Sequence, residues 1–327
     1  MAFTFPSPPH VVPLRLSRAG PSCPCPSSSS FPAFPTPPPL IPSRMEQQTR
    51  ASKLMEFPHL LAPHRDTMLG LISAIENRLG NQLLPSSVPS DVEYYQNESG
   101  TSQGTLSIRC GVDTSPIDFI LASWLHLEQP SGGGALEITN IAGYLKSSTD
   151  IPHFQFELVQ CSPTFLILFL DLIPRKDTVL HPDYLKTFYE DTQLEACRQR
   201  LARLPEVQPY FSSSLYFRRV VSSTGILVGI KCEDGGTRTG TERVEEIIRE
   251  HVGPIAKEVM GIWVDMCVDG GGREVSEIEQ RAELEKRDML IKRKAIEMDL
   301  SSSMPKQFGH EVADRVLRVI KSAYNVT

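Results

Sequence analysis

The stretch FQFELVQCSPTFLILFLD, residues Phe154–Asp171, constrains the fold more than any other part of the chain. β-Branched, aromatic and aliphatic residues run on both sides of a Ser-Pro pair, which favours a tight turn. The stretch therefore predicts two antiparallel strands joined by that turn. If the turn places Cys161 opposite Thr164, the register places Glu157 opposite Leu168.

Glu157 is a carboxylate within this apolar hairpin. In the predicted register it shares a sheet face with Val159, Leu166, Leu168 and Leu170. Because little water and no basic neighbour of the hairpin reach this position, the ionised form is disfavoured and a raised pKa is expected. Such a carboxyl group can donate a proton near neutral pH. Two other interpretations stay open, namely a Glu at a sheet edge and a Glu paired with a distant Arg.

The first 44 residues differ in composition from the rest. They hold 13 Pro, 8 Ser and three Arg, but no Asp or Glu. A Ser-rich, acid-free N-terminus with scattered Arg is typical of a plastid or mitochondrial transit peptide. We therefore expect a disordered transit peptide at 1–44 and one folded domain at 45–327. The alternative is a Pro-rich tail without a targeting role.

Charge and cysteine content exclude several classes of protein. The formal net charge of −6 becomes more negative without the leader's three Arg, which argues against a nucleic-acid partner. After the leader, the remaining five of the seven cysteines are widely spaced without a CxxC pair, which predicts reduced thiols and argues against an iron–sulfur cluster or structural zinc. No run of about 18 apolar residues occurs, so we expect no transmembrane segment.

The order of helix and strand patterns indicates the fold class. Helical periodicity covers five segments: Arg65–Leu84, Pro182–Leu204, Thr239–Val268, Ser276–Met298 and Phe308–Tyr324. Besides the hairpin, strand-like runs lie at Thr105–Cys110, Ile117–Leu127, Leu136–Ala142, Leu215–Val221 and Ile226–Cys232. Hairpins outnumber strand–helix–strand units. We therefore expect an α+β fold, a three-layer α/β/α sandwich with a central, mostly antiparallel sheet.

Familiar catalytic motifs are missing from the sequence. It contains no P-loop, HExxH or GxSxG, and the glycines at Gly132–Gly134 stand between two strands, as in a hairpin loop. These absences disfavour a nucleotide-binding protein, a zinc protease and a serine hydrolase. The histidines are scattered without a ligand neighbour at helical spacing, so five are interpreted as ordinary polar residues: His126, His153, His181, His251 and His310.

Two further carboxylates call for separate interpretation. The charged helix predicted at 276–298 is expected to face solvent along most of its surface. Asp299 directly follows this helix and so lies at the negative end of the helix dipole. That position tends to raise the pKa of a carboxyl group. Chemistry alone favours a simpler interpretation, a polar residue that begins a loop at Ser301–Ser303. Asp171, at its strand end, is expected to pair with a basic residue at 175–176.

Six stretches can be compared with a known family: ENRLGNQLLP at 76–85, SPIDFILASWLH at 115–126, FELVQ at 156–160, HPDYLKTFYEDT at 181–192, LPEVQPY at 204–210 and the charged stretch ending in IEMDL at 296–300. Together they resemble plant red chlorophyll catabolite reductase. The similarity extends over nearly everything from Lys53 to Val326.

The resemblance implies an activity. Enzymes of this family take electrons one at a time from reduced ferredoxin. They reduce an open-chain tetrapyrrole, red chlorophyll catabolite, to the primary fluorescent catabolite. They are related in fold to ferredoxin-dependent bilin reductases, carry no flavin or metal and form homodimers. The resemblance also implies the chloroplast stroma, with mitochondria as a second destination, and contact with other chlorophyll-breakdown enzymes.

The resemblance also implies site residues. The family's two pocket carboxylates fall on Glu157 and Asp299, as proton donors and substrate ligands. A pocket wall falls on three consecutive residues, Tyr210, Phe211 and Ser212. The position whose size accompanies product stereochemistry falls on Val221, and this small side chain predicts the epimer made in a roomier pocket.

An acidic ferredoxin needs a local basic patch on an acidic chain. Three candidates are Arg198 with Arg200 and Arg203, Arg218 with Arg219, and Lys292 to Lys294.

A rival interpretation assigns the chain to another functional class, a binding protein that sequesters the tetrapyrrole without turnover. Both need an apolar pocket with polar anchors.

Overall fold

The computed structural model describes residues 56–129, 134–234, 239–268 and 274–326. The predicted transit peptide lies outside the described residues, as do parts of the glycine-rich segments at 130–133 and 235–238. In the described part, no helix combines the length and the hydrophobicity needed to span a membrane.

An eight-stranded antiparallel sheet forms the middle of the protein. Its strands are β1 Tyr94–Gln96, β2 Ser102–Cys110, β3 Ile117–Glu128, β4 Ala135–Leu145, β5 His153–Ser162, β6 Phe165–Ile173, β7 Val207–Pro209 and β8 Ile226–Lys231. The spatial order follows the chain except at the end, where β8 lies between β6 and β7. All these pairs are antiparallel, and the strands from β1 to β6 follow one another along the chain as hairpins, which agrees with the predicted, mostly antiparallel sheet.

The central hairpin is present, but its predicted register was wrong by one residue. Glu157 lies opposite Phe169 instead of Leu168. The reason is a register shift at Cys161, an extra residue between the last two pairs of the ladder. Because a shift of one residue exchanges the two faces of a strand, Glu157 shares its face with Ile167 and Phe169, and the leucines of β6 face the other way.

One helical layer covers the sheet face that carries these leucines. Its main helices are α1 Ala62–Leu79, α4 Leu194–Ala202, α6 Gly240–Ile247 and α7 Gly253–Val268. Thr239 and Glu242 have the sequence spacing of a capping box, and both hydrogen bonds of that box are present at the start of α6. In α7 the indole of Trp263 donates to the carbonyl of Pro152 at 3.1 Å. Its ring packs directly on Gly143, so a Cβ at position 143 would collide with it. This layer buries a large core of aliphatic and aromatic side chains.

The second helical layer covers the face that carries Glu157. It contains α2 Ser90–Glu93, α5 Leu215–Val220, α8 Ile278–Ala295, α9 Ser301–Phe308 and α10 His310–Tyr324. A π-helical turn, Ile296–Leu300, joins α8 to α9. Gly309 then reverses the chain with φ 77° and ψ 162°, a conformation that essentially only glycine adopts. Helices on both faces confirm the predicted sandwich.

Three local predictions were wrong. Leu215–Val220 is the helix α5 rather than a strand, because Ser214 caps it by accepting from the backbone N–H of Phe217 at 3.1 Å. The expected loop at Ser301–Ser303 is helical. The predicted helix at 182–204 is divided into α3 Pro182–Leu185, a π-helical turn and α4. In each case tertiary packing outweighs the local pattern.

Buried ionic contacts fix α8, so this helix is less solvated than predicted. Asp288 accepts from the Arg175 guanidinium at 2.6 Å and lies 2.9 Å from His153 Nε2. Burial by itself would raise the pKa of Asp288, but His153 and Arg175 outweigh it and lower that pKa. Lys292 donates to Asp118 at 2.8 Å. α8 is thereby held to the end of the sheet.

Candidate active site

A largely apolar cavity lies between the sheet and the second helical layer. The space between its lining side chains measures about 1050 Å³, part of it open to solvent, and about 90 Å³ admits the centre of a water-sized sphere. The walls come from β2 to β6 on one side and from α8 to α10 on the other. Most lining residues are aliphatic or aromatic, so a ligand of this cavity needs a large apolar surface.

Glu157 is the carboxylate on the sheet side of this cavity. Its side chain is only 2% exposed, and its Oε2 accepts from Asn140 Nδ2 at 3.2 Å. Asn140 lies directly opposite Glu157 in the β4–β5 ladder, and Ser123 lies opposite Asn140 in the β3–β4 ladder. These three side chains form a polar row across the apolar floor of the cavity. Strand alternation thus presents a carboxyl group, an amide and a hydroxyl to the same space.

Asp299 belongs to the π-helical turn that closes the other side. The structure describes its backbone, within Ile296–Leu300, but not its side chain. The neighbours Leu300 and Ser303 line the cavity. π-Turns inside helices are frequent at functional sites. The second carboxylate predicted from the sequence therefore lies on a segment that borders the cavity of Glu157.

The predicted pocket wall lies in a neighbouring hollow. Tyr210, Phe211 and Val221 line it together with residues of α4, α5 and β8. Phe211 is 76% exposed, whereas Ser212 is buried and its Oγ accepts from the backbone N–H of Ser214 at 3.2 Å. Among the described residues this hollow shares no lining residue with the cavity of Glu157.

The two spaces are adjacent on one sheet face. Phe169, the ladder partner of Glu157, packs edge-on against Phe217 of α5 with 5.0 Å between ring centroids. Ser214 Oγ lies 3.8 Å from Met298 Sδ in the π-helical turn. α5 thus connects the loop at 210–214 with the segment of Asp299. The structure brings all the predicted site residues to one side of the sheet, in two groups.

The family of the chain follows from comparison with known proteins. A family model described as "Red chlorophyll catabolite reductase (RCC reductase)" matches residues 63–322, which include every strand and all but the first residue of α1 and the last two of α10. The chain belongs to this family. The assignment confirms the resemblance drawn from the six sequence stretches.

Three curated relatives of the red chlorophyll catabolite reductase family match between 64% and 91% of this chain. "Red chlorophyll catabolite reductase, chloroplastic" of Arabidopsis thaliana is 42% identical over 91% of this chain and 97% of that protein. A rice relative, "Red chlorophyll catabolite reductase 1, chloroplastic", is 42% identical over 80% of this chain and 78% of that protein. The barley relative is 40% identical over 64% of this chain and 98% of that protein.

A solved structure shows the same fold at low identity. It is tomato phytochromobilin synthase in complex with biliverdin, with a TM-score of 0.58 and 15% identity over 78% of this chain and 82% of that chain. The likeness confirms the expected fold relation of the red chlorophyll catabolite reductase family to bilin reductases.

Sequence reasoning missed Asn140 and Ser123 in the cavity of this red chlorophyll catabolite reductase family member. Each is a polar residue at a position where β3 or β4 faces the cavity among apolar neighbours. Alternation along each strand could have identified them, had the register to β5 been known. Two isolated polar residues within apolar strands are visible in the sequence, but only the cross-strand pairing shows that they lie beside Glu157.

Proposed function

We propose that the chain is a ferredoxin-dependent reductase that converts red chlorophyll catabolite, an open-chain tetrapyrrole, to the primary fluorescent catabolite. The observation that carries the proposal is the Glu157 carboxyl group in the floor of a large apolar cavity. Family membership supports the substrate, since the curated relatives bear its name. The tomato structure, of the same fold, is a complex with biliverdin.

The proposed chemistry is a two-electron, two-proton reduction of a carbon–carbon double bond. Two reduced ferredoxins supply one electron each, and the conjugated system of the substrate accepts them, so the protein itself carries no prosthetic group. An added electron makes the pigment more basic. Glu157 then gives a proton to it, and the Asn140 amide fixes the orientation of the carboxyl group.

The remaining predicted site residues complete the proposal. Asp299 supplies the second proton or orients the pyrrole N–H groups from the π-helical turn. Tyr210, Phe211 and Ser212 bind the substrate, and Val221, as a small side chain, admits the epimer that needs a roomier pocket. Because little of the cavity admits even water-sized spheres, binding requires the segment at 296–308 to move away from the sheet.

The structure narrows the choice of a ferredoxin-docking patch. Arg198 pairs with Glu195, and Arg200 pairs with Glu258, so their charges are already compensated. Lys292 is buried. Arg218 and Arg219 remain the favoured patch, since Arg219 has an 82% exposed side chain and only a 3.8 Å contact to Asp177.

Arg219 also lines a groove with Lys176, Lys286 and Arg287. The groove contains Val221 as well, so a donor bound there lies beside the proposed substrate-binding residues. Basic side chains around this groove would attract an acidic protein in spite of the net negative charge of the chain.

The proposed setting is the chloroplast stroma, reached by cleavage of the leader at 1–44. Two of the curated relatives are named chloroplastic. The proposed assembly is a homodimer that works beside other enzymes of chlorophyll breakdown.

The decisive experiment separates a reductase from a sequestering protein. Purified chain, reduced ferredoxin and red chlorophyll catabolite are mixed, and the red absorption and the blue fluorescence are followed. A reductase consumes many equivalents of substrate, and the fluorescent product accumulates in proportion. A change that stops at one equivalent of substrate per chain contradicts the proposal and supports sequestration.

A further inference from the structure

A compact polar cluster lies on the opposite face of the sheet from the candidate active site. His126 of β3 and Glu137 of β4 are directly opposed in the ladder, and both are buried. His126 Nδ1 is in short contact with Glu137 Oε1, while the indole of Trp124 donates to Glu137 Oε2 at 3.0 Å. Both carboxylate oxygens therefore have a partner, and the imidazole has a fixed orientation.

His59 brings a second imidazole to this cluster from the segment before α1. Its ring stacks on that of His126 with 3.9 Å between centroids. The ligand atoms of His59, His126 and Glu137 all lie within 4.8 Å of one another. Glu128, at the end of β3, places Oε1 3.8 Å from His126 Nε2. Two imidazoles and two carboxylates thus lie close together where the segment before α1 covers β3 and β4.

The charges of the cluster favour a cation. No ion pair with Lys or Arg is present at Glu137 within the described ranges. A divalent cation would compensate the carboxylates and use both imidazoles.

We propose that His59, His126 and Glu137 form a Zn²⁺ site with Glu128 at its rim. Two imidazoles and a glutamate are a ligand set that zinc takes readily, with a fourth position left to water or to the rim carboxylate. The stacked ring of His59 turns on binding, because two nearly parallel imidazoles do not direct both lone pairs at one ion. His59 is exposed, so this rotation gives up only its stacking contacts.

The site ties the segment before α1 to the sheet. His59 lies three residues before the start of α1 at Ala62, and its partners belong to β3 and β4. The sequence pattern argued against structural zinc, because the cysteines are widely spaced and no histidine has a ligand neighbour at helical spacing. Here the ligands come from three segments that only the strand register brings together. The site is independent of the proposed reductase activity, since it lies on the other face of the sheet.

The test is Zn²⁺ titration of tag-free, metal-free protein by calorimetry, followed by Co²⁺ substitution and visible absorption spectroscopy. We expect one equivalent to bind with micromolar or tighter affinity, and the Co²⁺ form to show the intense absorption of a four-coordinate site. Glu137→Gln should weaken binding by about 10- to 100-fold. His59→Ala, at an exposed position, should abolish one-equivalent binding while the protein stays folded by circular dichroism.

His181→Ala serves as the matched control, since His181 is exposed and lies outside the cluster. It should bind Zn²⁺ like the parent. The proposal is overturned if the parent binds no Zn²⁺ at micromolar concentration, or if His59→Ala and His181→Ala bind equally well.

Discussion

At the scale of single residues, a buried glutamate lies on each face of the sheet, and the two have different surroundings. Glu157 lies beside Asn140 in the cavity, whereas Glu137 is held by His126 and Trp124 against the other helical layer. Both are buried carboxylates on neighbouring strands. What differs is the space in front of them, since Glu157 lines the apolar cavity under the segment at 296–308, whereas Glu137 is enclosed by its hydrogen-bond partners.

Glu157→Gln tests the proposed proton donor. The amide keeps the size and the hydrogen-bonding reach of the carboxyl group but has no acidic proton to give, so turnover should fall by about 10²- to 10⁴-fold while substrate binding persists. Single-turnover kinetics and a binding titration measure the two effects separately. Glu258→Gln, on the opposite helical layer, is the control and should retain the parental rate. Equal rates for both variants would refute the assignment.

Two buried histidines predict a loss of stability in weak acid. Burial lowers the pKa of His64 and of His153 to about 4, whereas an unfolded histidine titrates near 6.5. Between these values the unfolded chain binds more protons, so the stabilisation is complete above pH 6.5 and is lost as the pH falls towards 4. Each histidine should remove about 2 kcal/mol of the unfolding free energy between pH 7 and pH 5.

Urea unfolding of His64→Gln at these two pH values checks this expectation. Between pH 7 and pH 5, the unfolding free energy of the variant should fall by less than that of the parent, because the contribution of His64 is gone. This difference does not depend on the stability of the variant at pH 7. His181→Gln, at an exposed position, should leave the pH dependence unchanged. If His64→Gln loses as much stability as the parent between pH 7 and pH 5, then His64 does not titrate as described.

At the scale of elements, the segment from α8 to α10 forms the helical wall of the cavity. The π-helical turn at 296–300 and α9 both contribute lining residues, and Gly309 sets the angle between α9 and α10. α8 itself is fixed by the Asp288–Arg175 contact. A firmly held helix followed by a π-turn and a glycine hinge suits a cover that must move to admit a large ligand.

Gly309→Ala should destabilise the protein by about 1–3 kcal/mol, because its backbone conformation excludes a Cβ even though no atom lies within 4 Å of that position. Gly261→Ala, inside α7 and equally free of contacts, should instead stabilise by about 0.5–1 kcal/mol. Urea unfolding of both variants measures the two effects. Changes of the same sign would show that the backbone at Gly309 is not the cause.

At the scale of the whole molecule, the proposed sites for substrate and electron donor lie on the same side of the sheet. The cavity, the hollow at Val221 and the groove that contains Arg219 all border the second helical layer. The first layer is a continuous aliphatic core. One layer therefore provides stability, while the other provides the spaces that the proposed reaction needs.

Charge reversal of Arg218 and Arg219 to Glu should raise the ferredoxin concentration needed for half-maximal rate. The increase should be largest at low ionic strength, because salt screens the attraction between exposed charges. Rates measured over a range of ferredoxin and salt concentrations test this. Arg249→Glu, on the first layer, should have little effect. An unchanged salt dependence in the double variant would exclude this patch.

The sequence by itself determined the fold class, the central hairpin, the capping box at Thr239 and the family. These follow from periodicity, turn chemistry and extended similarity, which are local properties of the chain. It also singled out Glu157, because a carboxylate within an apolar strand stands out without any knowledge of its neighbours.

Only the tertiary structure decided which face Glu157 occupies, since one extra residue at Cys161 reverses that choice. The polar row with Asn140, the helical state of α5 and the meeting of His59 with His126 were likewise decided by packing. Each depends on residues far apart in the chain. The energy that selects among local alternatives comes from burial and cross-strand contacts, which no single stretch of sequence contains.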